Sequence, residues 1–331
     1  MQPKLIIHGG AGRSIKRKGG LEAVRRSLHT IVDETYALLR SGGTAQEAVI
    51  LGCQLLEDEP RFNAGTGSVL QSDGQVRMSA GLMNGSQQSF SGVINVLNVQ
   101  HPIELAQFLQ TSADRILSDQ GSANLARELQ VPFHNPLTEL RLKEWLNERA
   151  GNFSKLMAGV VAEGTEGGTD ENTEGSTESS ASEADEEAGR GTIGVVALDQ
   201  QGCIIAGTST GGKGFERIGR VSDCAMPAGN YATHDAGISC TGIGEDIIDE
   251  CLAARIVVRV TDGMSFQDAL RRSFQESHDH QRDLGAIGID KTGIIGWGKT
   301  SDILLAAYHN GDRIRDTLEL PLGYQVGTLV D

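Results

Sequence analysis

Four things are missing from this sequence of 331 residues, and each absence removes a class of function. No long run of lysine and arginine occurs, and the formal charge is −15. Phosphate contacts need clustered cations, so neither nucleic acid nor another polyanion is expected as a partner. No stretch of eighteen apolar residues occurs, and Met1 leads within three residues into "KLIIH" with no basic segment and signal-length apolar core before it. The expectation is therefore a soluble, cytoplasmic chain with no membrane partner. The five cysteines, Cys53, Cys203, Cys224, Cys240 and Cys251, are odd in number and lack CxxC spacing. That pattern suits reduced, mostly buried thiols better than a disulfide framework or a zinc site. Finally, no internal repeat is evident, so a solenoid or propeller is not indicated.

What is present is glycine, 43 residues of it, and a sharp contrast in composition. From Glu163 to Gly189 there are ten acids, no bases, five glycines and eight serines or threonines, with alanine the largest apolar side chain. Such a tract cannot bury enough surface to offset its ordering entropy and is expected to be a solvated, disordered linker. Before it lie a strand, "KLIIH", and a helix carrying Leu21, Val24, Leu28, Ile31, Val32, Tyr36 and Leu39 at helical spacing. A second helix opens at Thr44 with Glu47 three residues on, a capping box, and Pro60 ends its pattern. "FSGVINVLNV" reads as a strand, and "PIELAQFLQTSADRIL" and "LTELRLKEWLNERA" as helices. Beyond the tract, "TIGVVALD" and "CIIAGT" form a hairpin signal across Asp199 to Gly202. "GEDIIDECLAARIVVRV" and "SFQDALRRSF" read as helices, and "LGAIGID", "IIGWGK" and "ILLAAYH" as closing strands. Strands and helices are grouped rather than strictly alternating, which favours an α+β fold of stacked antiparallel sheets covered by helices.

Several motifs invite a functional reading. "GTSTG", Gly207 to Gly211, fits a serine nucleophile elbow around Ser209, and "HGGAG" resembles an esterase oxyanion loop. The elbow must pass from strand straight into helix, however, and "GKGFERIGR" has no apolar period. The same stretch nearly spells a phosphate loop, but Gly214 stands where a serine or threonine must hold magnesium. His278 and His280 sit in the polar "QESHDHQRD" with no third ligand nearby, a surface turn rather than a metal site. His8, at the end of an apolar strand, is either a base or a structural hydrogen-bonder.

The strand "TIGVVALD" begins abruptly after the acidic tract, at Thr192. One reading is an ordinary β-branched strand residue. The other is a nucleophile: cut between Gly191 and Thr192, the chain would gain an α-amino group able to act as base for the hydroxyl on the same residue. The reference pKa of such an amine, about 7.7 to 8.0, lies close enough to neutrality to accept a proton. Gly191, lacking a Cβ, lets that hydroxyl approach the preceding carbonyl.

In order along the chain, "HGGAG", "LLEDEPRFNAGTGS", "GTIGVVALD", "GTSTGG", "GRVSD" and "SCTGIGE" resemble the plant-type asparaginases, which are also isoaspartyl peptidases and N-terminal-nucleophile hydrolases. The resemblance covers nearly everything but the linker. It implies a four-layer αββα sandwich and self-cleavage into an α chain, 1–191, and a β chain, 192–331. The α chain would comprise a folded core, 1–162, and the linker, 163–191, both chains sharing one structural domain. Two α and two β chains would assemble together. The implied substrates are L-asparagine and β-aspartyl dipeptides, with no cofactor for catalysis.

Residue by residue, Thr192 resembles the nucleophile and Thr210 the threonine that supports it. Thr241 and Gly242 match the oxyanion donors, and Arg220 and Asp223, beside Gly244, match the groups that hold the substrate's α-carboxylate and α-ammonium. Asn63 matches a residue that orients the nucleophile. The loop of Leu56, Glu57, Glu59, Phe62, Ala64 and Thr66 resembles one that holds a structural sodium ion through main-chain oxygens. Two departures stand out: Asn84 replaces a frequent acid, and the acidic tract is long. The related glycosylasparaginases usually place aspartate before the nucleophile, and Gly191 argues against their activity.

Overall fold

A computed structural model describes residues 1–12, 19–151, 153 and 191–329, so the acidic tract and its expected disorder lie outside the described residues. Along the chain run β1 (Lys4–Gly12), α1 (Leu21–Arg40), α2 (Ala45–Asp58), β2 (Met78–Asn84), β3 (Ser89–Val96), α3 (Pro102–Leu109), β4 (Ile116–Ser118), α4 (Asp119–Glu128) and α5 (Glu139–Ala150). The second part begins with β5 (Ile193–Leu198) and β6 (Ile204–Thr210), then a 3-10 turn at Asp223–Ala225, β7 (Asn230–Ala232), β8 (Ala236–Gly242), α6 (Gly244–Glu250), α7 (Leu252–Thr261) and α8 (Phe266–Asp279). It closes with β9 (Leu284–Asp290), β10 (Ile295–Lys299), β11 (Ile303–His309), β12 (Ile314–Asp316) and β13 (Gln325–Leu329).

The strands form two sheets, one ordered β12-β11-β1-β5-β6-β2-β3-β4 and the other β13-β10-β9-β8-β7. Helices α1 to α4 cover the outer face of the first sheet, and α7 and α8 cover that of the second. This is an α+β sandwich of helices, sheet, sheet and helices.

Three apolar layers follow from the two-residue period of the strands. In β5, Ile193, Val195 and Ala197 point into the core under α1 and α2, whereas Val196 and Leu198 point into the layer between the sheets. Both faces of the first sheet are buried, which is why its central strands read as continuous apolar runs instead of alternating with polar residues. The same alternation continues into the hydroxyl-bearing ends of the strands, and it decides which hydroxyls share a face.

Local signals placed most elements. Thr44 caps α2 as expected: its hydroxyl accepts from the Glu47 N–H at 3.2 Å while its own N–H donates to the Glu47 carboxylate at 2.8 Å. Such caps contribute about 1 kcal/mol each. Two helices differ from expectation, and one strand has no counterpart in the sequence reading. The helix read over "PIELAQFLQTSADRIL" stops at Leu109, and Ile116–Ser118 instead adds a parallel edge strand to β3. "GEDIIDECLAARIVVRV" is broken at Cys251, whose φ of 45° is left-handed, so α6 and α7 are separate helices. "MSAGLMN" is a strand, β2, paired on both sides by β3 and β6. Helical period alone could not register these, because each depends on pairing or on a single backbone reversal.

Candidate active site

The β5–β6 hairpin is the frame. Its turn is held by Asp199, whose carboxylate accepts from the N–H groups of Gln201, Cys203 and, across in α2, Ala45. The ladder pairs Ile193 with Ser209, so the preceding residue, Thr192, lies opposite Thr210. The Thr192 hydroxyl donates to the Thr210 hydroxyl oxygen at 3.1 Å, which also accepts from the Gly212 N–H at 3.2 Å. Thr192 is buried, and Thr208 and Thr210 share its face, between the sheets. Ser209 therefore points the other way, into the α2 side. There it faces the buried carboxyl of Glu57, short of full hydrogen-bond geometry, and burial pushes that carboxyl well above the usual range. The serine-elbow reading fails on this geometry as well as on its missing helix.

Asn63 ties three segments together at this point. Its N–H donates to the Gly191 carbonyl at 3.1 Å, its own carbonyl accepts from the Gly211 N–H at 2.8 Å, and its Nδ2 donates to the Gly212 carbonyl at 2.7 Å. Its Oδ1 accepts from the Val69 N–H at 3.0 Å. A Cβ at Gly211 would stand 2.5 Å from that Oδ1, so only glycine lets the strand end approach so closely. The carbonyl of Gly191 is thus polarised by a main-chain N–H, immediately before the Thr192 hydroxyl.

Beneath Thr192, His8 resolves as a structural hydrogen-bonder. Its Nε2 lies 3.0 Å from the Ser239 hydroxyl, which in turn lies 2.7 Å from that of Thr208, so the three side chains strap the two sheets together. Burial pushes the His8 ring down to about 3, against a main-chain contact to Thr192, and the ring is neutral. A Cβ at Gly194 would overlap both Ser239 and His8, which explains a glycine inside the apolar strand.

In β8, Ile238 and Cys240 face the helices, so Thr241 faces the layer between the sheets, as Thr192 does. Its hydroxyl is buried and has no partner among the described residues. A buried hydroxyl left without a partner is costly, and a ligand oxygen would satisfy it. Gly242 next to it has φ 128°, and a Cβ there would stand 2.6 Å from the Asp283 carbonyl.

Two charged groups converge nearby. Asp223 opens the 3-10 turn and is buried; its Oδ2 has no partner among the described residues, and burial, opposed by the Arg220 charge, pushes its pKa up to about 7. Gly244 keeps the space between them open: a Cβ there would stand 2.6 Å from Arg220 Nη2 and 2.8 Å from Asp223 Oδ1. Arg220 donates through Nε and Nη2 to Glu245, at 3.1 and 3.0 Å. Glu245 ends the motif "SCTGIGE", yet nothing in a sequence tells which motif acid pairs with which arginine. Asn84 sits apart from this site, with its Oδ1 accepting from the N–H groups of Ser86 and Gln87 in the β2–β3 turn, so an amide meets the acceptor need of that turn.

A family model described as asparaginase matches residues 1–319. The chain belongs to the asparaginase family. An isoaspartyl peptidase/L-asparaginase of Nostoc sp. is 66% identical over 99% of this chain and 98% of its own length. One with the same name from Synechocystis sp. is 58% identical over 99% and 94%. A plant-type L-asparaginase of Pyrococcus horikoshii is 34% identical over 96% and 98%. The two-sheet sandwich agrees with the N-terminal-nucleophile hydrolase fold of the asparaginase family, and the chain is a hydrolase of that family.

The loop of the expected sodium site, 56–66, leaves the end of α2. Pro60 has no N–H, so the Leu56 carbonyl lacks its helical donor. Glu57 and Glu59 offer carbonyls already bonded once, to the N–H groups of Thr66 and Phe62. A Cβ at Gly67 would stand 2.5 Å from the Pro60 carbonyl oxygen and 3.0 Å from that of Phe62, so both oxygens lie close against Gly67. Among the described residues no cluster of three His, Cys, Asp or Glu could hold a metal. Main-chain oxygens are the kind of ligand that a hard cation takes. Among the described residues no helix is long and apolar enough to cross a membrane.

Proposed function

We propose that the chain cuts itself between Gly191 and Thr192 and that Thr192 then hydrolyses the side-chain amide of L-asparagine and the isopeptide bond of β-aspartyl dipeptides. One observation carries this reading: a threonine hydroxyl, hydrogen-bonded to a second threonine at 3.1 Å, directly follows a glycine carbonyl that a main-chain N–H already polarises. In the uncut chain the Thr192 oxygen attacks the Gly191 carbonyl, with the Asn63 N–H facing the developing charge. The acyl group moves from nitrogen to oxygen, and water hydrolyses the ester. The new α-amine is the base for turnover.

The substrate's α-carboxylate goes to Arg220 and its α-ammonium to Asp223, whose buried Oδ2, without a partner among the described residues, needs a donor. The Thr192 oxygen then attacks the side-chain carbonyl while the amine takes its proton. Thr241 Oγ and the Gly242 N–H meet the oxyanion. The amine returns the proton to the departing ammonia or amino acid, and water completes the cycle through the ester. Sodium held by the 56–66 loop would brace Asn63, which lies inside that loop, and takes no part in bond making. Two α and two β chains form the working assembly, in the cytoplasm, where its thiols stay reduced.

A denaturing gel with N-terminal sequencing of the purified protein tests the reading. Two fragments, the smaller starting at Thr192, are expected, together with ammonia release from L-asparagine. A single uncut chain that still turns over asparagine overturns it.

A further inference from the structure

The substrate end of the site carries one cation that the steps above leave unused. Lys213 lies three residues beyond Thr210, in the loop that leaves β6, and its N–H is anchored on Glu216 Oε1 at 3.2 Å. Its half-exposed ammonium stands 3.7 Å from Glu245 Oε1, the same oxygen that accepts from Arg220 Nε at 3.1 Å. Lys213 and Arg220 therefore flank a single carboxylate. Arg220 is held in a bidentate pair, whereas among the described residues the Lys213 ammonium makes only the longer contact, so its head remains able to take a second anion.

Charge accounting says which substrate needs it. Three carboxyl groups, Glu216, Asp223 and Glu245, face two cations, Arg220 and Lys213, inside a protein whose net charge is −15. Zwitterionic asparagine adds no charge to this neighbourhood. A β-aspartyl dipeptide adds one, the free carboxylate of its leaving residue, separated from the α-carboxylate on Arg220 only by the β-aspartyl linkage. Even with Lys213 the carboxyl groups outnumber the cations there, and without it Arg220, already forked onto Glu245, would be left alone to offset that added charge.

Resting on the proposed reaction, we propose that Lys213 is a specificity-determining residue that holds the leaving residue's carboxylate, so that the site discriminates for β-aspartyl dipeptides with a free C-terminus. The sequence carries the residue in "GTSTGGKG" but gives no sign of its role, since the Glu245 that aligns it lies 32 positions further along the chain.

The test compares β-aspartyl-leucine with its C-terminal amide, with L-asparagine hydrolysis serving to show that the Thr192 machinery works. Wild-type enzyme is expected to favour the free acid over the amide by about five- to tenfold in kcat/KM, through KM, as a partly exposed charge pair allows. That preference should shrink as salt rises from low to molar concentrations. Lys213→Gln should bring the acid-to-amide ratio to about one or below, and Lys213→Arg should retain it. A ratio near one in the wild type, or one unchanged by Lys213→Gln, overturns the proposal even while asparagine is hydrolysed. Absence of Thr192-dependent hydrolysis of any substrate would instead fault the reaction itself. If Lys213→Gln does not fold, the wild-type ratio and its salt dependence decide alone.

Discussion

The two ends of the site are built from different materials. At the end that holds Thr192, the groups of Gly191, Thr192, Thr210 and Asn63 are hydroxyls, amides and main-chain groups, and the imidazole of His8 beneath them is buried and neutral. At the other end, Arg220, Asp223, Glu245 and Lys213 form a charged cluster that reaches from a buried aspartate to a half-exposed lysine. The neutral end is fixed by strand register and close backbone approach, which tolerate little displacement. The charged end is fixed by ion pairs and is tunable by pH and salt. Its strongly shifted group, Asp223, has an oxygen without a partner among the described residues, the arrangement a ligand cation would complete.

Breaking the neutral end should have the largest effect. Thr192→Ala is expected to leave one full-length chain on a denaturing gel and to lower asparagine turnover on the order of 10⁴-fold or more. Thr192→Ser should still cleave, more slowly, because the hydroxyl survives while the methyl that restricts χ1 is lost. Two chains and normal turnover from Thr192→Ala would contradict the mechanism.

At the charged end, Asp223→Asn should lower kcat/KM for asparagine by roughly 10²-fold, mainly through KM, since the α-ammonium loses its counter-charge. The pH dependence separates the two ends further. The Asp223 pKa is raised from 3.8 to about 7, so the folded state binds that proton more tightly than the unfolded state. Its contribution to stability is full below 3.8 and is lost as pH rises through about 7. Denaturation melts from pH 4 to 8 should show Asp223→Asn lacking this decline. Substrate capture runs the opposite way, because only the carboxylate pairs with ammonium, so wild-type kcat/KM should rise across neutrality. A variant that keeps the wild-type melt profile removes Asp223 as the titrating group.

Arg220→Lys should cost about tenfold in KM, less than losing Asp223, because the charge remains while the fork that also grips Glu245 is lost. An unchanged KM would detach Arg220 from the substrate. The smallest effect should come from deleting residues 166–183, whose composition leaves nothing to pack. Cleavage and turnover are expected to stay within about twofold of wild type. Loss of both in a folded deletion variant would bring the tract into the mechanism.

The sequence by itself determined the layers, the capping of α2, the hairpin after Thr192 and the abrupt junction before it. Each of these is written in local periodicity, in a capping pair, or in a change of composition within a few residues. Its ordered motifs also brought together Thr192, Thr210, Asn63, Arg220, Asp223, Thr241 and Gly242 as one candidate set. Within "GTSTG", Ser209 reads as the elbow nucleophile and its neighbour Thr210 as a support for Thr192, and sequence adjacency says nothing of which face each takes. Only pairing β6 against β5, with helices on one face and a second sheet on the other, turned Thr210 toward Thr192 and Ser209 toward Glu57. The same holds for His8 and Ser239, 231 positions apart, and for Lys213 and Arg220 meeting on Glu245. The physical reason is that a side chain's face is set by strand register, and its partner by which strand packs across the layer. Both are properties of long-range pairing that no local stretch of sequence contains.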